Sequence, residues 1–181
     1  GDVYKRQALQ SLNIISNFAQ VIILTNVPQY AYEDRILNFK NYNISFPVII
    51  NEGPKGPALL ELCKTLKKPA IFIDDNLSQI ESAEEFVPKI YRFHFTGCEL
   101  VQRLLPKSLA ATHNPKSWKE VEYLCKKLLI SFFIKVFRGI NNFWGIFFGL
   151  LVFTSTKTCI NIIFAAVFLS RSENRPISYS T

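Results

Sequence analysis

The stretch Pro69-Ala70-Ile71-Phe72-Ile73-Asp74-Asp75 is a short apolar run that ends in two adjacent carboxylates. An apolar run of this length, closed by acids, is typical of a strand that is buried on both faces of a sheet. Open parallel sheets bind ligands outside the carboxyl ends of their strands. Two neighbouring carboxylates repel each other unless a cation or a proton lies between them, and hard Mg²⁺ suits their oxygens best. The stretch therefore predicts a magnesium site at the end of a strand.

Helix and strand patterns alternate on both sides of this stretch, from Ala8 to Leu129. Such alternation predicts an α/β fold, a three-layer α/β/α Rossmann-like parallel sheet with helices on both faces. Two Ser-x-x-Glu patterns, at Ser78 and Ser117, predict capping boxes that begin helices. The alternating run 90–95 predicts a strand that is more exposed than the others. The patterns predict helices over 8–20, 30–41, 58–66, 78–86, 99–105 and 117–128, and strands over 21–24, 46–50, 70–73 and 90–95.

Charge and cysteine spacing narrow the class of protein. The net charge is +7, but residues 130–181 alone hold five basic residues and one acidic residue, so the body is close to balance. A nucleic-acid surface on the body would need clustered Lys and Arg, so we expect no nucleic-acid partner. The four cysteines form no Cys-x-x-Cys pair, so neither a zinc site nor a disulfide framework is indicated. Scattered reduced thiols favour a cytoplasmic location.

The two ends of the chain differ in character from the body. Residues 1–7 resemble translated adaptor sequence, and the chain holds no Met, so we expect a fragment. Residues 130–181 form a hydrophobic tail, expected to be helical, whose apolar run 143–169 is interrupted by Lys157. Three interpretations of the tail stay open: a transmembrane helix, which would make the protein membrane-associated, a non-native translation, or a soluble extension of the core. Basic residues flank the run on both sides, so they predict no orientation.

Three polar features follow three successive predicted strands. Thr25 follows the first strand, Lys55 the second, and Asp74-Asp75 the third, each about one α/β unit apart. A parallel sheet would bring them to one edge. A hydroxyl and an ammonium can hold phosphate oxygens, and an acid pair can hold Mg²⁺, so this set is suited to phosphoryl transfer. His94 and His113 have no partner at catalytic spacing and receive no role.

These stretches resemble the motifs of the haloacid dehalogenase-like (HAD) hydrolase superfamily over roughly Ala8 to Leu129. The matching stretches are Ile23-Leu24-Thr25-Asn26, Gly53-Pro54-Lys55-Gly56-Pro57 and Phe72-Ile73-Asp74-Asp75. The resemblance implies Mg²⁺-dependent hydrolysis of a small phosphorylated or related metabolite through an aspartyl-phosphate. By it, Thr25, Asn26 and Lys55 bind the phosphate. Lys55 is also the catalytic residue that stabilises the intermediate, and Asp74 and Asp75 hold the metal.

One departure from the family pattern bears on activity. The family's first motif, Asp-x-Asp, supplies the nucleophile, and none of the four Asp residues of this chain forms it. We therefore expect residues 8–129 to be the carboxyl-terminal part of a HAD-like core, catalytically inactive as given, with an incomplete sheet whose apolar edge is exposed. The alternative is a non-catalytic α/β module tethered to a membrane by residues 143–169. For Asp74-Asp75 itself, the alternative interpretation is a simple turn after a strand. The sequence specifies neither the substrate nor the oligomeric state.

Overall fold

The computed structural model describes residues 2–66, 69–104, 106–138 and 161–165, and the structural statements below concern those residues. They form an α/β fold with one parallel sheet, as the alternation of patterns predicts. In chain order the elements are α1 (Asp2–Ser16), β1 (Gln20–Asn26), a short 3-10 turn (Gln29–Ala31), α2 (Tyr32–Asn41), β2 (Val48–Asn51), α3 (Gly56–Leu66), β3 (Ala70–Asp74), α4 (Leu77–Phe86), β4 (Tyr91–His94), α5 (Glu99–Leu104), α6 (Trp118–Arg138) and β5 (Asn161–Ala165).

The last strand in sequence lies in the middle of the sheet. The strand order is β2-β1-β5-β3-β4, and β5 pairs in parallel with β1 on one side and β3 on the other. Among the described strands, the β1–β2 pair and the β3–β4 pair meet only through β5. The predicted exposed apolar edge is therefore not found, because β5 pairs with both strands that would have formed it.

The two faces of the sheet bury different sets of side chains, since successive residues of a strand point to opposite faces. In β3, Ile71 and Ile73 pack with apolar residues of α1 and α6. Phe72, between them, packs against α3 and α4 on the other face, where Ile163 of β5 also lies. All five residues of β3 are buried. Double-sided burial explains why this strand is a continuous apolar run and not an alternating one.

Both ends of the chain carry structure outside the predicted core. Helix α1 begins at Asp2, so residues 2–7, predicted to be adaptor, continue the first helix. Helix α6 passes the predicted core boundary at Leu129 and ends at Arg138. Within the predicted helical tail, the described residues 161–165 form a strand. No helix in the described segments is long and apolar enough to cross a membrane, and the remainder of the run 143–169 lies outside those segments.

Two local predictions also need correction. Helix α4 is capped by Asn76, whose side chain accepts from the backbone N–H of Ser78 at 3.0 Å, so Ser78 is not the cap. The cap at Ser117 is present, with its hydroxyl accepting from Glu120 N at 3.2 Å. Strand β4 is buried and not exposed, because the segment before α6 covers it: Arg92 Nε donates to Ala110 O at 2.7 Å, deep inside the protein.

Candidate active site

The residues predicted for the site all lie at the carboxyl edge of the sheet. Thr25 and Asn26 are the last two residues of β1, where they pair with Ile50 and Asn51 of β2. Asp74 is the last residue of β3, and Asp75 follows it. Lys55 lies in the loop between β2 and α3. The topology thus brings together the hydroxyl, the ammonium and the acid pair at one edge, as their spacing predicts.

Lys55 and Asp74 form a buried ion pair. Lys55 Nζ lies 2.9 Å from Asp74 Oδ2, and the two side chains are 1% and 0% exposed. The other carboxylate oxygen, Oδ1, accepts from the backbone N–H of Asn76 at 2.8 Å. Both oxygens of Asp74 are therefore engaged by donors. A lysine carries three N–H donors, and Asp74 uses one of them.

The loop that carries Lys55 is held from the strand side by two asparagines. Asn26 Nδ2 donates to Gly53 O at 2.7 Å, and Asn51 Nδ2 donates to Asn26 Oδ1 at 2.9 Å and to Gly53 O at 3.1 Å. Gly53 has a φ of +80°, a conformation that glycine adopts without steric strain. The amide of Asn26, predicted to bind phosphate, thus fixes this loop in the structure.

Helix α4 holds the loop from the other side. The backbone N–H of Lys55 donates to Gln79 Oε1 at 2.8 Å, and that of Gly56 donates to Ser82 Oγ at 3.0 Å. Gly56 lies so close to α4 that a Cβ atom there would overlap the carbonyl oxygen of Ser82. Close packing of α3 on α4 therefore fixes the backbone from which the Lys55 side chain reaches Asp74.

Thr25 approaches the site from the other face of the sheet. Thr25 is 3% exposed. Because side chains alternate along a strand, Thr25 lies on the same face of the sheet as Ile23, whereas Asp74 lies on the same face as Phe72. The strands β1 and β3 flank β5, so their backbones are about 10 Å apart at two strand spacings. A ligand held by both Thr25 and the acid pair would therefore lie over the carboxyl end of β5.

The acid pair consists of two carboxylates, and one or two carboxylates are what proteins commonly offer to Mg²⁺. Asp75 is 9% exposed and Asp74 is fully buried. Within the described ranges, no group of three or more His, Cys, Asp or Glu side chains could enclose a metal ion. Mg²⁺ commonly takes one or two carboxylates and completes its shell with waters and substrate phosphate oxygens. The donor set is chemically suited to such an ion, with Asp75 as the better ligand because Lys55 already neutralises Asp74.

Sequence reasoning missed His94, which is 2% exposed and ends β4. Its Cα is the register partner of Asp74, and its ring Nε2 lies 3.2 Å from the backbone oxygen of Asp75. The alternating pattern Arg92-Phe93-His94-Phe95 did suggest a strand, but nothing in it indicates which strand lies alongside. The pairing of β4 with β3 is what brings this histidine to the acid pair.

Comparison of the chain with protein-family models, with curated proteins and with solved structures finds no match. The function must therefore be argued from the geometry of the carboxyl edge and from the chemistry of its residues.

Proposed function

We propose that the carboxyl edge of the sheet binds a small phosphorylated metabolite together with Mg²⁺, as the phosphate- and metal-binding part of a HAD-like hydrolase site. The observation that carries the proposal is the buried contact of Lys55 with Asp74, at the strand end that also bears Asp75. Burying two charges is costly, and replacing such pairs by apolar residues is often neutral or stabilising, so stability alone is a weak explanation for their presence.

Each residue has a distinct role in this proposal. The Lys55 ammonium, held in place by Asp74, uses its other N–H donors on phosphate oxygens and offsets their charge. The hydroxyl of Thr25 donates to the phosphate from the other side of β5. Asp75, with Asp74 beside it, would hold Mg²⁺, which would supply positive charge against the negative phosphate. Asn26 holds the loop that carries Lys55 in place, and it also lies at the edge where the phosphate binds.

The position of β5 bears on catalysis. A nucleophile placed between Thr25 and Asp74 would come from the carboxyl end of the strand that separates them, and that strand ends at Ala165, followed in sequence by Ala166 and Val167. None of these residues can attack phosphorus. We therefore propose that this chain binds its ligand without turnover, and that hydrolysis through an aspartyl-phosphate belongs to a polypeptide that also supplies an Asp-x-Asp motif.

We also propose that the fold is a three-layer, Rossmann-like arrangement, which the parallel sheet and the two apolar clusters on its opposite faces support. A cytoplasmic location is supported by Cys63, Cys98 and Cys125, which are free thiols. The alternative of a membrane-tethered module gains no support from the structure, because a span over 143–169 would have to remove residues 161–165 from the middle of the sheet.

Binding of Mn²⁺, which replaces Mg²⁺ and is visible by electron paramagnetic resonance, tests the proposal. We expect Asp75→Asn to weaken Mn²⁺ binding about tenfold or more, as loss of a charged ligand should. The matched control is Asp34→Asn, because Asp34 is an exposed carboxylate in the first turn of α2. Inorganic phosphate should tighten Mn²⁺ binding in the unaltered chain. Equal Mn²⁺ affinities for the two variants would refute the proposed metal site.

A further inference from the structure

His94 lies at the end of a chain of contacts that leads to the acid pair. Its backbone is fixed on both sides, because its N–H donates to His113 O at 3.0 Å and its carbonyl accepts from Gln102 Nε2 at 3.1 Å. The next residue, Phe95, donates its N–H to Asp74 O at 2.9 Å. That bond extends the contact between the two strands past His94, the last residue of β4. Asp75 directly follows Asp74, the last residue of β3.

The side chain of His94 makes a contact with the backbone of Asp75, the residue that follows β3. Its Nε2 atom lies 3.2 Å from the backbone oxygen of Asp75, and the contact is buried. A carbonyl oxygen can only accept, so the proton must be on Nε2. The other ring nitrogen, Nδ1, is also buried and has no hydrogen-bond partner among the described residues.

We propose that His94 is a positioning residue for the metal ligand Asp75. By donating from Nε2 to the Asp75 carbonyl, the ring fixes the backbone from which that carboxylate projects, and so sets its place relative to Asp74. This inference rests on the proposed function, since it assumes that Asp75 ligates a divalent cation. Outer residues that orient metal ligands typically change metal affinity by about 10–100-fold when mutated.

A purely structural role would predict a different pattern among variants. Glutamine places its amide Nε2 the same number of bonds from Cβ as the histidine Nε2, so His94→Gln keeps a donor for the Asp75 carbonyl. Asparagine places its amide nitrogen at the position of Nδ1, which does not reach that carbonyl. If His94 only fills buried space, both changes should have similar effects. If it positions Asp75, glutamine should rescue binding and asparagine should not.

The test is the Mn²⁺ dissociation constant of the full chain and its variants, with thermal unfolding monitored in parallel. We expect His94→Asn to weaken binding about tenfold or more and His94→Gln to stay within about threefold. His113→Gln is the matched control and should leave Mn²⁺ binding unchanged. Equal losses for the Asn and Gln variants, or no loss for either, would overturn the positioning role. Absence of Mn²⁺ binding by the unaltered chain would instead overturn the proposed function, and this inference with it.

A second measurement needs no variant. The ¹⁵N shifts of the His94 ring in the unaltered chain report which nitrogen carries the proton. We expect the ring to carry a proton on Nε2, where the hydrogen bond to the Asp75 carbonyl requires one. A proton on Nδ1 alone would remove the hydrogen bond to Asp75 and overturn the inference, whether or not the chain binds Mn²⁺.

Discussion

Lys55 Nζ and Asp74 Oδ2 lie 2.9 Å apart as a buried ion pair, and the two residues are 19 positions apart in the sequence. Helix α3 and strand β3 both lie within this stretch of the sequence. The pair therefore reports on the whole β2–α3–β3 unit as well as on the site. Its removal should affect both stability and phosphate binding, and these two effects can be separated.

Lys55→Met should lower the free energy of unfolding by about 3–5 kcal/mol, because Asp74 would be left buried without its counter-charge. The matched control is Lys64→Met in α3, whose ion pair with Glu61 is exposed and should contribute about 0–1 kcal/mol. The double variant Lys55→Met/Asp74→Leu should regain part of the loss, since no isolated charge remains. Urea unfolding measures all three. A loss for Lys55→Met no larger than that for Lys64→Met would contradict the buried pair.

Gly56→Ala should destabilise the protein by about 1–3 kcal/mol, the usual effect of overpacking a closely packed contact. The new methyl group would overlap the Ser82 carbonyl oxygen and lie 2.6 Å from Phe86 Cδ2. Because the nearest atom belongs to the backbone, adding Ser82→Ala should not restore stability. Gly53→Asn is the control, since the space around Gly53 is open and Asn tolerates positive φ. Equal effects at the two glycines would show that α3 and α4 are not in close contact.

Ile163→Ala tests whether the tail contributes the central strand. Ile163 is fully buried between β1 and β3, so the change should lower the free energy of unfolding by about 2–5 kcal/mol. Ile130→Ala is the matched control, because Ile130 is 55% exposed and its loss should change stability by less than about 0.5 kcal/mol. If Ile163→Ala left stability unchanged, residues 161–165 would not be part of the folded sheet.

His113 should make the stability of the protein depend on pH. Burial, and then the positive charge of Lys127, lower the pKa of His113 below its ordinary value of about 6.5. The folded state therefore favours the neutral ring, and the stabilisation is present above about pH 6.5 and is lost as the pH falls through the folded-state pKa. On acidification, the free energy of unfolding of the His113→Gln variant should therefore fall less than that of the unaltered chain. An NMR titration that gave His113 a pKa above 6.5 would contradict this.

The order of elements was largely predictable because each apolar run is long enough to show its period. The runs at Val21–Leu24 and Ala70–Ile73 are buried on both faces, as continuous apolar strands should be. The place of β5 was not predictable in the same way. Residues 161–165 belong to an apolar segment that could equally be helix or strand, and its period cannot distinguish the two. Only pairing with β1 and β3 decides its conformation.

The common edge of the candidate site residues was predictable because it depends on topology alone. Parallel strands put Thr25, Lys55 and Asp74 at one edge, and the sequence shows each of them after an apolar run. The sequence did not predict the contacts that depend on which strands lie side by side. His94 reaches Asp75 only because β4 lies next to β3. Asn76, and not Ser78, caps α4 because it directly precedes Leu77, the first residue of the helix.

The most direct measurement is a crystal structure of the chain grown with Mg²⁺ and inorganic phosphate. We expect the metal about 2.1 Å from a carboxylate oxygen of Asp75. Phosphate oxygens should lie about 3 Å from Lys55 Nζ and from the hydroxyl of Thr25, over the carboxyl end of β5. A carboxyl edge without metal or phosphate, at concentrations that saturate comparable sites, would contradict the proposed site.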